Sequence, residues 1–223
     1  MKIQYLGDSK DSFKWDYHDY LTNVIGYNFL NILLMMTPDD KTNDGKTKPD
    51  SFPARSEIIQ FCKNLRSKRD LSVIKHLPSE TGANYKVNLH NPEIYITKRN
   101  RELYFSELPK RSNQIIFLDP DNGFEPERKY NDKHVRYSEI STILDQIPSN
   151  SLVSVFQHFR RIKFVDDFSR IKERLSGVIA SVYVTAIFWH QLMFVLISKS
   201  EAVIKRATEI NKEYATLYPI EIP

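Results

Sequence analysis

The run Gln114-Ile115-Ile116-Phe117-Leu118-Asp119-Pro120-Asp121-Asn122-Gly123 decides how the chain is read. Its first half has the length and composition of a strand buried on both faces, as in a parallel sheet. Its second half has to turn, because Asp-Pro and Asn-Gly are both turn-forming pairs. The same five residues can also present a carboxylate to a ligand at the tip of a strand.

Downstream the pattern is regular. Residues 137–147 read as a helix, and Leu152–Phe156 as a buried strand ended by Gln157-His158. Residues 164–176 repeat at helical spacing through Phe164, Phe168, Ile171 and Leu175. Val182–Phe188 and Leu192–Ile197 are two tightly joined, antiparallel strands, and residues 200–215 close the chain as a helix.

Upstream, Lys2–Leu6 reads as a short strand that runs into Gly7-Asp8. Phe13, Tyr17, Tyr20, Leu21 and Val24 place an amphipathic helix over 11–25, capped by Asp11 or Ser12, or by Asp8 or Ser9 if it starts earlier. Asn28–Met36 suits a second buried strand, and residues 37–53 form a long polar loop. Residues 55–68 return to a helical pattern, with a shorter helix over 70–77. Glu93–Thr97 and Glu102–Ser106 alternate around Lys98-Arg99-Asn100-Arg101, which predicts a β-hairpin inside an irregular insertion at about 78–110.

Such an alternation predicts one α/β domain over 1–223. Its sheet is expected to be mostly parallel, doubly wound and Rossmann-like, with an antiparallel last strand and a small hairpin insertion. That ending is typical of methyltransferase-like sheets.

Composition narrows the class. At 41% hydrophobic and 27% charged, 223 residues can build a full core. A net charge of +4 permits a phosphate-bearing partner without demanding one. Cys62 is the only cysteine, so an internal disulfide and a cysteine zinc cluster are both excluded; beside Phe61 it reads as a buried thiol. The longest apolar stretch, 178–197, is broken by Trp189-His190-Gln191, so no membrane span is expected. With no signal-peptide layout, the expected compartment is the cytoplasm.

Ligands of such sheets sit outside the carboxyl ends of the strands. The expected strand tips are Gly7-Asp8, Thr37-Pro38-Asp39-Asp40, Asp119–Gly123, and Gln157-His158 followed by Arg160-Arg161. Their polarity points to one site. Asp119 and the Pro120 carbonyl can accept hydrogen bonds from the exocyclic amine of a nucleobase, Asn122 can read a base edge, and Phe124 can stack on it. His158 follows a buried strand directly, and His134 follows the Asp119 loop. His18 and His76 read as surface or interface groups.

The six glycines are at least 19 residues apart, which excludes the dinucleotide fingerprint, the phosphate loop and a glycine-rich donor loop. Gly-x-Ser-x-Gly and His-Glu-x-x-His are also missing from the sequence.

The stretch Gly7-Asp8-Ser9-Lys10-Asp11-Ser12-Phe13-Lys14-Trp15 resembles the opening of the bacterial adenine-N6 methyltransferases of 23S ribosomal RNA, with Gly7, Asp11 and Lys14 in matching places. Asp119-Pro120 matches the first half of that family's Asp-Pro-Pro-Tyr strand end, while Asp121-Asn122 replaces Pro-Tyr. The resemblance implies S-adenosylmethionine as donor, with Gly7, Asp8 and Lys14 on the donor side and Asp119, Pro120, Asp121 and Asn122 at the reacting amine. Asp39 and Asp40, with Asp44, stand where the donor loop is expected, and one acid there could hold ribose hydroxyls. Phe124, Gln157, His158 and Arg160 fall to the substrate, RNA or DNA.

Two other readings stay open. In one, Asp8, Asp39, Asp40, Asp119 and Asp121 gather around magnesium in a nuclease or phosphodiesterase, with Asp8, Asp119 and Asp121 as core ligands and His158 and Arg160 on the scissile phosphate. In the other, the chain is a non-catalytic nucleic-acid binder or adaptor, touching phosphates through Lys63–Arg69, Lys98–Arg101 and Arg160–Lys163.

Overall fold

Six strands form one sheet in the computed structural model, which describes residues 1–39 and 45–223. In chain order they are β1 (Phe29–Leu33), β2 (Lys86–Leu89), β3 (Gln114–Leu118), β6 (Leu152–His158), β7 (Tyr183–Trp189) and β8 (Leu192–Ser198), and across the sheet they run β2-β1-β3-β6-β8-β7. The first four are mutually parallel, and β8 runs antiparallel between β6 and β7. A separate parallel ladder of two residues each joins β4 (Gly123–Phe124) to β5 (His134–Val135). Seven α-helices complete the described residues: α1 (Ser9–Ile25), α2 (Ser56–Lys68), α3 (Leu77–Thr81), α4 (Arg101–Ser106), α5 (Tyr137–Gln146), α6 (Phe164–Val178) and α7 (Glu201–Ala215). The chain is thus α/β with a mostly parallel central sheet. Among the described residues no helix is long and apolar enough to cross a membrane.

Strand periodicity splits the core in two. Ile115 and Phe117 face a layer built on α1, α2 and α7, while Ile116 and Leu118 face one built on α4, α5 and α6. Both faces are covered, which is why β3 and β6 read as nearly continuous apolar runs. One polar thread crosses the sheet: Asn88 Nδ2 donates to Asn31 Oδ1 at 2.9 Å, and Asn31 Nδ2 donates to Gln114 Oε1 at 2.8 Å.

Several expectations are corrected. Lys2–Leu6 is no strand; Ile3–Tyr5 form a 3-10 turn whose carbonyls take the Arg69 guanidinium, at 3.0 Å from Ile3 O and 2.8 Å from Gln4 O. Helix α1 starts at Ser9 and is buried nearly all round rather than amphipathic: Asp11, Lys14, Asp16, His18 and Asp19 are as enclosed as Phe13 and Trp15. Arg55 closes its far half, with Nε 2.8 Å from Asp16 Oδ1 and Nη2 2.8 Å from Asp19 Oδ2.

The expected hairpin is also absent. Arg101–Ser106 is helical, because Arg101, Tyr104 and Phe105 are buried at helical spacing and Leu103 is exposed. Arg101 binds both oxygens of Glu139, at 2.6 and 2.7 Å, so it is a structural cation and no phosphate contact. Edge strand β2, in the stretch read as irregular, was not foreseen.

Candidate functional site

A crevice of about 390 Å³ opens on the rim where β3 and β6 end and α1 begins. Asp8, Lys14, Asp119, Pro120, Asp121, Asn122 and His158 all line it. Asp8 reaches this rim as the cap of α1 rather than as a strand tip: one carboxylate oxygen accepts from the Lys10 and Asp11 amides at 2.9 and 3.0 Å. Burial, and then the neighbouring Asp11, push the Asp8 carboxyl up to about 6.

Lys14 ties helix to strand. Its Nζ lies 2.7 Å from Asp11 Oδ1 and 2.8 Å from Asp119 Oδ2, at 4% exposure. Burial opposes the Lys14 charge, but the two carboxylates outweigh it and raise the pKa. Asp119 shares that ammonium with Asp11, so burial still holds its carboxyl above the ordinary range. Asp11 in turn accepts the Gly7 amide at 2.8 Å.

Beside this triad, the α-amine of Met1 rests in a cradle of acceptors. It donates to Met35 O at 3.0 Å and Asp119 O at 3.1 Å, and lies 2.9 Å from Asp121 Oδ1. Met35 follows β1 and Asp119 follows β3, so the cradle spans the tips of two adjacent parallel strands. Burial works against ionisation of Asp121; the Met1 amine and a hydrogen bond from Thr37 overcome it and hold this carboxyl below its ordinary value.

The remaining expected residues fall elsewhere. Gly7 does not line the crevice; at φ +73° it turns the chain into α1 so tightly that a Cβ would lie 2.1 Å from Cys62 O. Asp39 is exposed and outside the lining, and Asp40 and Asp44 lie outside the described residues. Phe124 is fully buried and stacked on Tyr137, 5.1 Å between centroids, so its face is not offered to a base. Gln157 is buried too; its Oε1 accepts the Phe124 amide at 2.9 Å and fixes the Asp119–Gly123 turn from behind. Arg160 lies in a neighbouring groove, paired with Asp167 at 2.7 Å. His134 is not in the lining either, though its Nε2 is 3.4 Å from Asn122 Nδ2. His18, expected near the surface, is enclosed between Lys14 O at 2.7 Å and Ser154 Oγ at 2.9 Å, and burial lowers its pKa to about 3.

The crevice also contains residues the sequence reading passed over: Met1, Lys2, Tyr5, Lys10, Phe156 and Lys133. Lys10 alone carried a signal, since it sits inside the Gly7–Trp15 stretch; its Nζ is 3.3 Å from His158 Nε2. The three carboxylates of the magnesium reading do not converge: Asp8 turns to helix amides, Asp119 to Lys14, and Asp121 to Met1 and Thr37. Among the described residues no three His, Cys, Asp or Glu side chains are grouped to hold a metal ion.

The crevice and its sheet define an α/β chain whose polar groups gather at the ends of parallel strands. No family model matches it, and no curated protein is detectably similar.

Proposed function

We propose that this chain is a nucleic-acid-directed, methyltransferase-like protein that takes S-adenosylmethionine as donor and the N6 amine of adenine, in RNA or DNA, as target. The observation that carries the reading is the cradle of Met35 O, Asp119 O and Asp121 Oδ1 beside the Asp119-Pro120 tip. Three acceptors around one buried amine suit the α-ammonium of an amino acid, which the donor's methionyl part carries, although burial lowers the pKa of the Met1 amine itself against the pull of Asp121 and Asp119. The sheet supports the same reading, because an antiparallel last strand beside parallel ones is typical of Rossmann-like methyltransferase sheets.

When bound, the donor supplies an electrophilic methyl group on a sulfonium. The chain's own residues do the rest. Asp121, kept ionised, holds positive charge at the cradle. The Pro120 carbonyl and Asp119 accept from the target amine, keeping electron density on its nitrogen, and Asn122 reads the base edge. The experiment is transfer of labelled methyl groups to single-stranded RNA and DNA, followed by digestion and chromatography. N6-methyladenine is expected with the parent chain and not with Asp119→Ala; no transfer to either nucleic acid overturns the catalytic reading.

One observation favours a second reading, a non-catalytic nucleic-acid binder. Lys14 and the Met1 amine already satisfy the two carboxylates that a donor and an amine would use. Nucleic-acid binding without any donor binding is the outcome that selects it.

A further inference from the structure

A second groove, about 510 Å³, lies between the chain after β4 and helix α6. Five cationic side chains line it, Arg128, Lys129, Arg160, Arg170 and Arg174, against two acidic ones, Glu127 and Asp167. Asp167 is already spent on Arg160. Arg174 is fixed 4.2 Å above the Tyr137 ring, with Nη1 donating to Glu125 O at 3.0 Å. Arg128, Lys129 and Arg170 are exposed, and among the described residues their side chains make no ion pair or hydrogen bond. The groove therefore has two ordered guanidinium groups and three exposed cations, with Glu127 as the one acid in its lining outside the Arg160–Asp167 pair.

Two chain segments join it to the crevice. Asn122 lines the crevice and Pro126 the groove; likewise His158 and Arg160, only two residues apart. Chain geometry limits that last step to about 7 Å between Cα atoms. The crevice borders α1 and the groove borders α6, on opposite faces of the sheet, so a strand of nucleic acid that touches both has to cross the sheet's rim at His158–Arg160. An opening of this volume has the size of one or two nucleotides.

We propose that this groove holds the sugar–phosphate backbone of a single-stranded nucleic acid, with phosphates against Arg128, Lys129 and Arg170, next to the nucleotide presented to the crevice. The last clause rests on the function proposed above; the backbone contact does not. Arginine and lysine contacts to phosphates release counterions, so the affinity should fall with salt.

The test is fluorescence anisotropy with a labelled single-stranded RNA, its DNA counterpart and the matching duplex, without methyl donor, across a salt series. Three phosphate contacts predict a log–log salt slope of about −2 for the single strand. Arg128→Glu with Arg170→Glu should weaken binding at least tenfold (an order-of-magnitude figure) and flatten the slope by roughly 1.4, at unchanged melting temperature. Unchanged affinity in that variant, a flat salt dependence, or equal or tighter duplex binding each overturns the proposal. So does preferential binding of polyglutamate, which would mark an acidic-protein surface. Strand binding through the groove with no methyl transfer would sink the catalytic reading and leave the groove standing; methyl transfer indifferent to the two arginines would do the reverse.

Discussion

Replacing Lys14 with methionine keeps most of the side-chain stem and removes one charge between two enclosed carboxylates. Both contacts are short, 2.7 Å to Asp11 and 2.8 Å to Asp119, and both carboxylates are almost fully buried where they border the crevice. Breaking a buried pair from one side costs about 3–5 kcal/mol, because a charge is stranded. That is a large share of a native stability of roughly 5–15 kcal/mol, yet compatible with a folded protein. The cost should depend on pH. Burial already raises Asp119 with Lys14 in place, and losing the ammonium raises it further. The folded variant then binds more protons than its unfolded chain at mildly acid pH, so it regains stability as pH falls. Urea unfolding at pH 7.5 and pH 5 measures both effects: the deficit against the parent should be full at the higher pH and smaller at the lower. Adding Asp119→Asn to Lys14→Met should recover at least about 1 kcal/mol, as expected for residues in one network. A deficit under about 1 kcal/mol, or one that grows on acidification, refutes the buried-triad account.

Asp8→Asn should behave in the opposite sense. Asparagine still caps α1, whereas Asp8 at about 6 against an ordinary 3.8 makes its ionisation costly in the fold as pH rises through that window. Denaturant titrations should find the variant more stable by about 3 kcal/mol above pH 6 and level with the parent below pH 4; equal stability at pH 7 would contradict the assignment. Gly123→Ala should lower the melting temperature by several degrees, since φ is +94° and the new Cβ would lie 2.2 Å from Gln157 Oε1. If calorimetry finds no loss of melting temperature, the Gln157 clamp does not fix this turn.

How much was legible depends on how each residue is buried. Strand β3 was read with its observed bounds, because a strand covered on both faces is apolar throughout and its polar stop is abrupt. Helices α5 to α7 were legible within a few residues, since each keeps one apolar stripe toward a sheet face. Helix α1 was found but misjudged: its acids and His18 look solvent-facing, and only the fold brings Arg55, Ser154, Tyr85 and Tyr214 to them. The hairpin error has the same root, because Arg101 is buried by a partner 38 residues away. At the site, a turn-forming motif placed Asp119–Asn122 at the rim. Nothing local tells a ring stacked inward, like Phe124, from one facing a ligand. Nor could any spacing rule bring Met1 to the tips of β1 and β3.

The claim on which the account turns is that the donor's ammonium displaces the Met1 amine, which fills the acceptors at those tips, and takes its seat. Titration calorimetry of S-adenosylmethionine into the folded chain tests it most directly. Micromolar binding is predicted, weakened about tenfold or more, some 1.4 kcal/mol, by Asp121→Asn. A parent chain shown folded by circular dichroism that takes up no donor would contradict it.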